Sequence, residues 1–371
     1  MNILYGIQGT GNGHITRSRE MVTELRRRGH QVRVIVSGRS REKLWDMDDL
    51  EPFEVYRGLS FATENGRIKR FDTFKELQPI TLVRDVNRVD SDDYDLVITD
   101  YEPITSRVAQ RRKLTSIGLG HQYAFSSDIP KKGFDTFHNL IMQYFAPATL
   151  DVGLHWHHFN QAILPPIIPD MDSPAVVDRD IILVYLPFED QVRLLPVLHA
   201  HPGKQFLLYT DRLKPGELGN VTVRSFSRVG FHADLVRCSG VICNSGFELP
   251  SEVLALGKKL YTKPLRGQPE QVSNALALKE MKRGTVVNEI DVDTLGGWLE
   301  GRDPEPMPFR NTCWEIAGWI ESGDWNHQGL LRLAELVWNS MGIPFTAKST
   351  RPATWAPLDS LRRSLSEMVQ I

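Results

Sequence analysis

Two short polar loops carry the residue types that can hold and transform a charged substrate. The first is Gln8-Gly-Thr-Gly-Asn-Gly-His14 and the second is Asn244-Ser245-Gly246. Glycines let a backbone approach another group closely, and a helix that follows aims its positive end at an anion. Ser245 and Gly246 therefore suit a pyrophosphate. Glu252, on the same helix entry, can accept hydrogen bonds from two vicinal hydroxyls. Gln271 and Asn274, three residues apart, share a helix face and offer their amides to a sugar.

The first half of the chain supplies candidate acids and bases. Transfer of a group to an acceptor hydroxyl needs a base for the hydroxyl proton. His14, Asp100, Glu102 and His121, the last beside Gln122, all follow expected strands. An imidazole, with an ordinary pKa of about 6.5, is mostly neutral at pH 7 and suits the role. His14 has the alternative of bracing its own loop, and Asp100 of capping the helix that starts near Ile104. Arg17 and Arg266 are available to meet the charge of a departing diphosphate.

Other chemistries fit less well. The first loop is not spaced G-x-G-x-x-G, and the second strand ends in Val36-Ser37-Gly38-Arg39 instead of an acidic residue. Both features argue against a nicotinamide dinucleotide. The triplets Asp46-Met-Asp48, Asp170-Met-Asp172, Asp178-Arg-Asp180 and Asp291-Val-Asp293 read as turns and caps, so no metal site is expected. His155-Trp-His157-His158 reads as an extended interdomain strand with packed histidines.

These residues need a frame. A strand at residues 2–7, a helix at Arg17–Arg28 stopped by Gly29 and a strand at Gln31–Val36 make a βαβ unit. Strands at Asp95–Thr99 and Thr115–Leu119 flank a helix at Ile104–Arg112, while Phe53–Phe74 should contain a strand and a mobile loop. Prolines stiffen Ile163–Pro169, after which the pattern restarts. Strands are expected at Asp180–Leu186, Gln205–Tyr209, Val221–Ser225, Gly240–Cys243 and Lys259–Thr262. Helices are expected at Glu189–His199, Phe231–Arg237, Ser251–Leu256 and Pro269–Glu280.

The resulting expectation is an α/β chain of two Rossmann-like domains, residues 1–164 and 165–310, facing a central cleft. Residues 311–371 form helices and a tail packing back on the first domain. A hinge is expected at Pro165–Pro169. Trp298, Trp314, Trp319, Trp325, Trp338 and Trp355 read mainly as anchors for the terminal helices.

Composition sets the outer limits. Lys and Arg number 44 against 46 Asp and Glu, so the basic footprint of a nucleic-acid binder is missing. Arg26–Arg27–Arg28 reads as a solvated helix end. Three cysteines without a CxxC pair suit a reducing compartment. The start, Met1-Asn-Ile-Leu-Tyr-Gly, has neither the charged region nor the long apolar run of a signal peptide. The expected location is cytoplasmic, with contact at the inner face of a membrane left open.

The segment Asn244–Ala275 resembles the donor domain of family-28 GT-B glycosyltransferases, the kind that includes the peptidoglycan N-acetylglucosaminyltransferase of lipid II synthesis. The resemblance implies that Ser245 and Gly246 meet the donor diphosphate, that Glu252 binds the ribose, and that Gln271 with Asn274 contacts the hexose. It also places Gly11, Gly13 and His14 in the acceptor-side loop. The first loop departs from the family's GGxGGH-like form, and Leu186-Pro-Phe-Glu-Asp190 is not its glycine-rich turn, so the acceptor stays open. Inverting, metal-independent transfer of a hexose from a UDP-sugar to a carbohydrate or lipid-linked acceptor is what the likeness implies, with no cofactor beyond the donor. A sugar-nucleotide epimerase and a non-catalytic sugar-nucleotide binder are the alternatives on the same fold.

Overall fold

The computed structural model describes residues 1–347 other than 45, 59–62, 65–66, 69–78, 90–92 and 172–176. Most of the loop expected within Phe53–Phe74, together with Asp172 and Trp355, lies outside the described residues.

Two parallel sheets carry the chain. The first is ordered β3-β2-β1-β6-β7-β8. Its strands are β1 (Asn2–Gln8), β2 (Gln31–Ser37), β3 (Phe53–Tyr56), β6 (Leu96–Asp100), β7 (Ser116–Gly120) and β8 (Leu150–Gly153), all paired in parallel. A two-strand hairpin, β4 (Thr63–Glu64) with β5 (Arg67–Ile68), stands apart. After Asn2 every β1 residue is buried, as expected of a strand covered by helices on both faces.

The second sheet is ordered β11-β12-β10-β9-β13-β14-β15. It comprises β9 (Asp178–Tyr185), β10 (Gln205–Tyr209), β11 (Gly216–Leu218), β12 (Val221–Arg224), β13 (Cys238–Asn244), β14 (Lys259–Lys263) and β15 (Thr285–Val286). Only β11 runs antiparallel. In each sheet the strand order reverses beside the first strand, at β1/β6 and at β9/β13. Such a switch point opens a crevice at the carboxyl ends of the strands.

Helix boundaries matter most at these crevices. Helix α1 spans Asn12–Arg27 and starts five residues before the expected Arg17. Gly13 and His14 thus lie in its first turn, not in a free loop. After α2 (Pro79–Val89), α3 spans Pro103–Arg112, α4 is the single turn His121–Ala124, and α5 is Thr136–Tyr144. In the second half α6 (Gln191–His199) and α7 (Arg228–Arg237) are followed by α8, which spans Glu248–Ala255. That start is three residues earlier than Ser251. Helices α9 (Pro269–Glu280) and α10 (Val292–Leu299) complete this layer.

The last two helices, α11 (Cys313–Ser322) and α12 (His327–Ser340), fold back on the first sheet's side. Arg28, the C-cap of α1, bonds Glu321 of α11 at 2.6 Å, and Trp338 of α12 donates to the Ile163 carbonyl at 2.6 Å. Trp298, Trp319 and Trp338 are buried, and Trp325 donates to the Ile320 carbonyl at 2.8 Å. Trp314 is 65% exposed, with the Arg28 guanidinium 5.3 Å over its ring.

One more expectation changes. His155–His158 is not a strand: a single bridge, Leu154 with Leu164, precedes a turn in which His157 and His158 stack at 4.4 Å. The backbone turns because Phe159 and Asn160 take left-handed φ of 48° and 58°. The expected hinge is also packed: Ile163, Leu164, Ile167 and Ile168 are all buried. Among the described residues no helix is long and apolar enough to cross a membrane.

Candidate active site

The β1/β6 crevice holds a buried charge cluster. Asp100 ends β6, and its Oδ1 lies 2.8 Å from His14 Nδ1. Ser18 Oγ donates to Asp100 Oδ2 at 3.0 Å. Arg17, one turn along α1 from His14, donates to Asp100 Oδ1 at 2.5 Å, to Gln122 Oε1 at 3.3 Å and across the cleft to Glu248 Oε1 of α8. Burial pushes the Asp100 carboxyl up, but Arg17 and His14 outweigh it and hold it below the ordinary carboxylate range.

An ionised Asp100 can only accept. The proton between it and the imidazole therefore belongs to His14 Nδ1, which leaves Nε2 with its lone pair in the neutral ring. Among the described residues Nε2 has no hydrogen-bond partner, and the side chain keeps 11% exposure. Arg17 Nη2 also lies 2.7 Å from Nδ1, but its two hydrogens have acceptors in Asp100 Oδ1 and Gln122 Oε1. Gly120, closing β7, makes room for this cluster: a Cβ there would stand 2.8 Å from Asp100 Oδ1 and 3.2 Å from Arg17 Nη2.

The other first-half candidates are engaged elsewhere. Glu102, not Asp100, is the N-cap of α3, accepting from Ile104 N at 2.9 Å and Thr105 N at 2.7 Å. Ser37 Oγ and Thr105 Oγ1 add two more bonds at 2.6 and 2.8 Å. Four donors fill its two oxygens, so Glu102 is spent on the cap. His121 has both nitrogens engaged, Nδ1 with the Leu154 carbonyl at 2.8 Å and Nε2 with Asn274 Oδ1 at 2.7 Å. Its ring stacks on Phe247 with centroids 4.0 Å apart. His155, buried beside it, has its pKa pushed well down by that burial.

The second-half candidates meet at the β9/β13 crevice. Asn244 ends β13, its amide bonding Glu189 at 3.2 Å and the Lys263 carbonyl at 3.1 Å, while its Oδ1 is buried without a partner. Ser245 Oγ pairs with Thr262 Oγ1 at 2.9 Å. Gly246 has nothing within 4 Å of where a Cβ would stand. Glu252 is buried, its carboxyl makes no hydrogen bond among the described residues, and that burial, with Glu248 and Glu20 nearby, raises its pKa to about 8. Gln271 accepts from Leu265 N at 3.0 Å, and Asn274 donates to the Ser245 carbonyl at 3.1 Å.

The facing loops touch. A Cβ on Gly13 would meet Glu248 Cγ at 2.6 Å, which only glycine avoids. The first loop also reaches across through Asn12 to the Tyr185 hydroxyl at 3.5 Å, and Arg39 holds Asn12 and the Thr10 carbonyl. Gly11 is the N-cap of α1 and offers no side chain to it. Arg266, exposed, pairs with Glu289 outside this cluster. Among the Asp-x-Asp triplets, Asp291 caps α10, Asp178 and Asp180 open β9 at the end away from the crevice, and Asp46 accepts from Arg228 N.

A family model described as Glycosyl transferase family 1 matches residues 1–301. The chain belongs to this family. No curated protein matches it in sequence. Solved structures give the glycosyltransferase its fold. The glycosyltransferase of kitacinnamycin superposes with TM-score 0.58 at 16% identity, over 91% of this chain and 98% of that one. SnogD, a glycosyltransferase from Streptomyces nogalater, gives 0.53 at 18% identity over 94% and 98%. UGT89C1 of Arabidopsis thaliana complexed with UDP gives 0.58 at 14% identity over 92% and 99%. The fold is GT-B, two Rossmann-like halves with the terminal helices returning to the first.

Glu248 was not among the residues the sequence singled out, because α8 was expected to start at Ser251. The apolar spacing that marks that helix begins late, and a polar first turn carries no periodic signal.

Proposed function

We propose that this glycosyltransferase moves a hexosyl group from a nucleotide sugar, a UDP-sugar, to an acceptor hydroxyl with inversion and without a metal. The observation that carries the reading is the buried contact of His14 Nδ1 with Asp100 Oδ1 at 2.8 Å. It fixes the tautomer and leaves Nε2 to take the acceptor hydroxyl's proton as that oxygen attacks the anomeric carbon. The bond from the anomeric carbon to the diphosphate breaks on the opposite side, so the configuration inverts.

The leaving diphosphate's charge falls on the backbone amides at the start of α8, around Ser245 and Gly246, and on Arg17. Glu252, buried and without a protein partner, is suited to the ribose hydroxyls. Gln271 and Asn274 would exchange their present backbone partners for the hexose. The acceptor is a carbohydrate or a lipid-linked hydroxyl compound, following the resemblance of the donor segment.

A thermal-shift panel of nucleotide sugars and free nucleotides tests this on wild type and Glu252→Ala. A ligand at about 100 times its dissociation constant stabilises by about 2.7 kcal/mol. One UDP-sugar should shift wild type and fail to shift Glu252→Ala. Stabilisation by NAD(P)H alone would overturn the reading.

A further inference from the structure

Helix α8 opens with a carboxylate beside the loop that should receive a phosphate. Glu248 lies in its first turn, with no side chain capping that helix. An anion there is favoured by the dipole, as a phosphate would be. Instead of turning to solvent, Glu248 is buried and crosses the cleft to Arg17 Nη1. Its second oxygen, Oε2, is buried with no partner, and so is Arg17 Nε. The pair is therefore incompletely satisfied on both sides. Gly13 is what admits it, since any Cβ there would collide with Glu248 Cγ.

We propose that Glu248 is the donor site's own stand-in for a phosphate: it occupies Arg17 until the donor diphosphate takes that guanidinium, and Glu248 then accepts a proton. The inference rests on the reading that the start of α8 receives the diphosphate. It goes further in giving Arg17, a first-half residue, two successive anionic partners. Charge balance follows directly. Arg17 is the cation facing Glu248, whereas Asp100 at the end of β6, Glu270 of α9 and Glu252 further along α8 are all acidic. A diphosphate added to that set without loss of a negative charge would be strongly repelled. Burial has already raised the Glu248 carboxyl to about 7, against the pull of Arg17, so taking up a proton is easy near neutrality.

The test is calorimetric titration of UDP into wild type and Glu248→Gln at pH 6 and pH 8. Glutamine keeps the shape and still accepts from Arg17 but carries no charge. A group titrating near pH 7 is about one-tenth protonated at pH 8, so wild type should lose about tenfold more affinity than the variant between the two pH values. At pH 8 the variant should bind about tenfold tighter. The ionisation of UDP itself is common to both proteins and cancels. Wild type alone gives a second readout: titration at pH 8 in buffers of different ionisation enthalpy should show uptake approaching one proton. Equal affinities at pH 8 with equal pH slopes, or no proton uptake, would overturn the inference while leaving the donor site in place. If neither protein binds UDP at either pH, the donor-site reading falls and takes the inference with it.

Discussion

The two walls of the cleft are finished to different degrees. On the first wall His14, Ser18 and Arg17 all bond Asp100, which spends both oxygens, and Arg17 also bonds Gln122. The buried atom of this cluster left without a partner among the described residues is Nε of Arg17, the guanidinium that bridges to the second wall. On the second wall, among the described residues, Asn244 Oδ1 and Glu248 Oε2 are buried without partners and the Glu252 carboxyl makes no hydrogen bond. Burying a polar group without a partner costs about 1–3 kcal/mol. A fold tolerates that where something else supplies the missing bonds, and a tautomer must be fixed before chemistry starts. On the proposed reading, the difference teaches that the base side is set by the protein's own contacts, whereas the donor side, with the Arg17 guanidinium that reaches it, is completed by its ligand.

Breaking the first wall should have the largest effect. His14→Ala removes the proton acceptor and should lower transfer about 10²–10⁴-fold. Asp100→Asn should fall in the same range, because an amide can turn a donor toward Nδ1 and favour the wrong tautomer. Initial rates of sugar transfer, or of donor hydrolysis, measure both. UDP affinity in each variant should stay within a few-fold of wild type. If it collapses instead, the two walls are not independent.

Glu102 sharpens the comparison from within the first wall. It sits two residues from Asp100, yet its carboxylate receives four donors in a purely local cap. Glu102→Ala strands buried N–H and O–H groups and should cost about 2–4 kcal/mol of stability. Denaturant unfolding would show it as a lower midpoint with UDP affinity retained in the folded protein. Unchanged stability with lost transfer would return Glu102 to the chemistry.

How much of this was legible in the sequence depends on range. The two Rossmann-like halves were readable because their central strands are short apolar runs next to a glycine or polar stop, whereas the short β8, β11 and β15 carry no such signal. Pro269–Glu280 was placed to the residue. Ser245, Gly246 and Glu252 were readable as neighbours at the end of one strand and along the helix after it, which is where they lie. The partner of His14 was not, because Asp100 lies 86 residues away and local pattern gave it equal claim to a cap. The competition between Asp100 and Glu102 was decided by geometry: Tyr101 takes a left-handed φ of 55°, turning the chain between the two carboxylates. Arg17 was readable as a cation for the diphosphate, but Glu248 and its contact with Arg17 were hidden for the same reason, since that contact exists only when two distant helices face each other.

The smallest expected effect concerns the second wall in the absence of any ligand. A carboxyl whose folded-state pKa is raised holds more protons when folded than when unfolded, so its contribution to stability falls as pH rises. For Glu252 the window runs from the ordinary Glu value near ~4.3 up to about 8. Stability present below that window is lost across it, the reverse of a paired carboxylate such as Asp100. Between pH 6 and pH 8 the loss from Glu252 is about 2 kcal/mol, and Glu252→Gln should remove that contribution to the slope. Melting temperatures at a series of pH values measure it directly. Glu248 adds a slope of its own in this window, so the quantity to read is the difference in slope between wild type and Glu252→Gln, which saturating nucleotide should abolish if ribose hydroxyls reach Glu252. A difference that persists under saturating nucleotide would place the ribose elsewhere on the second wall.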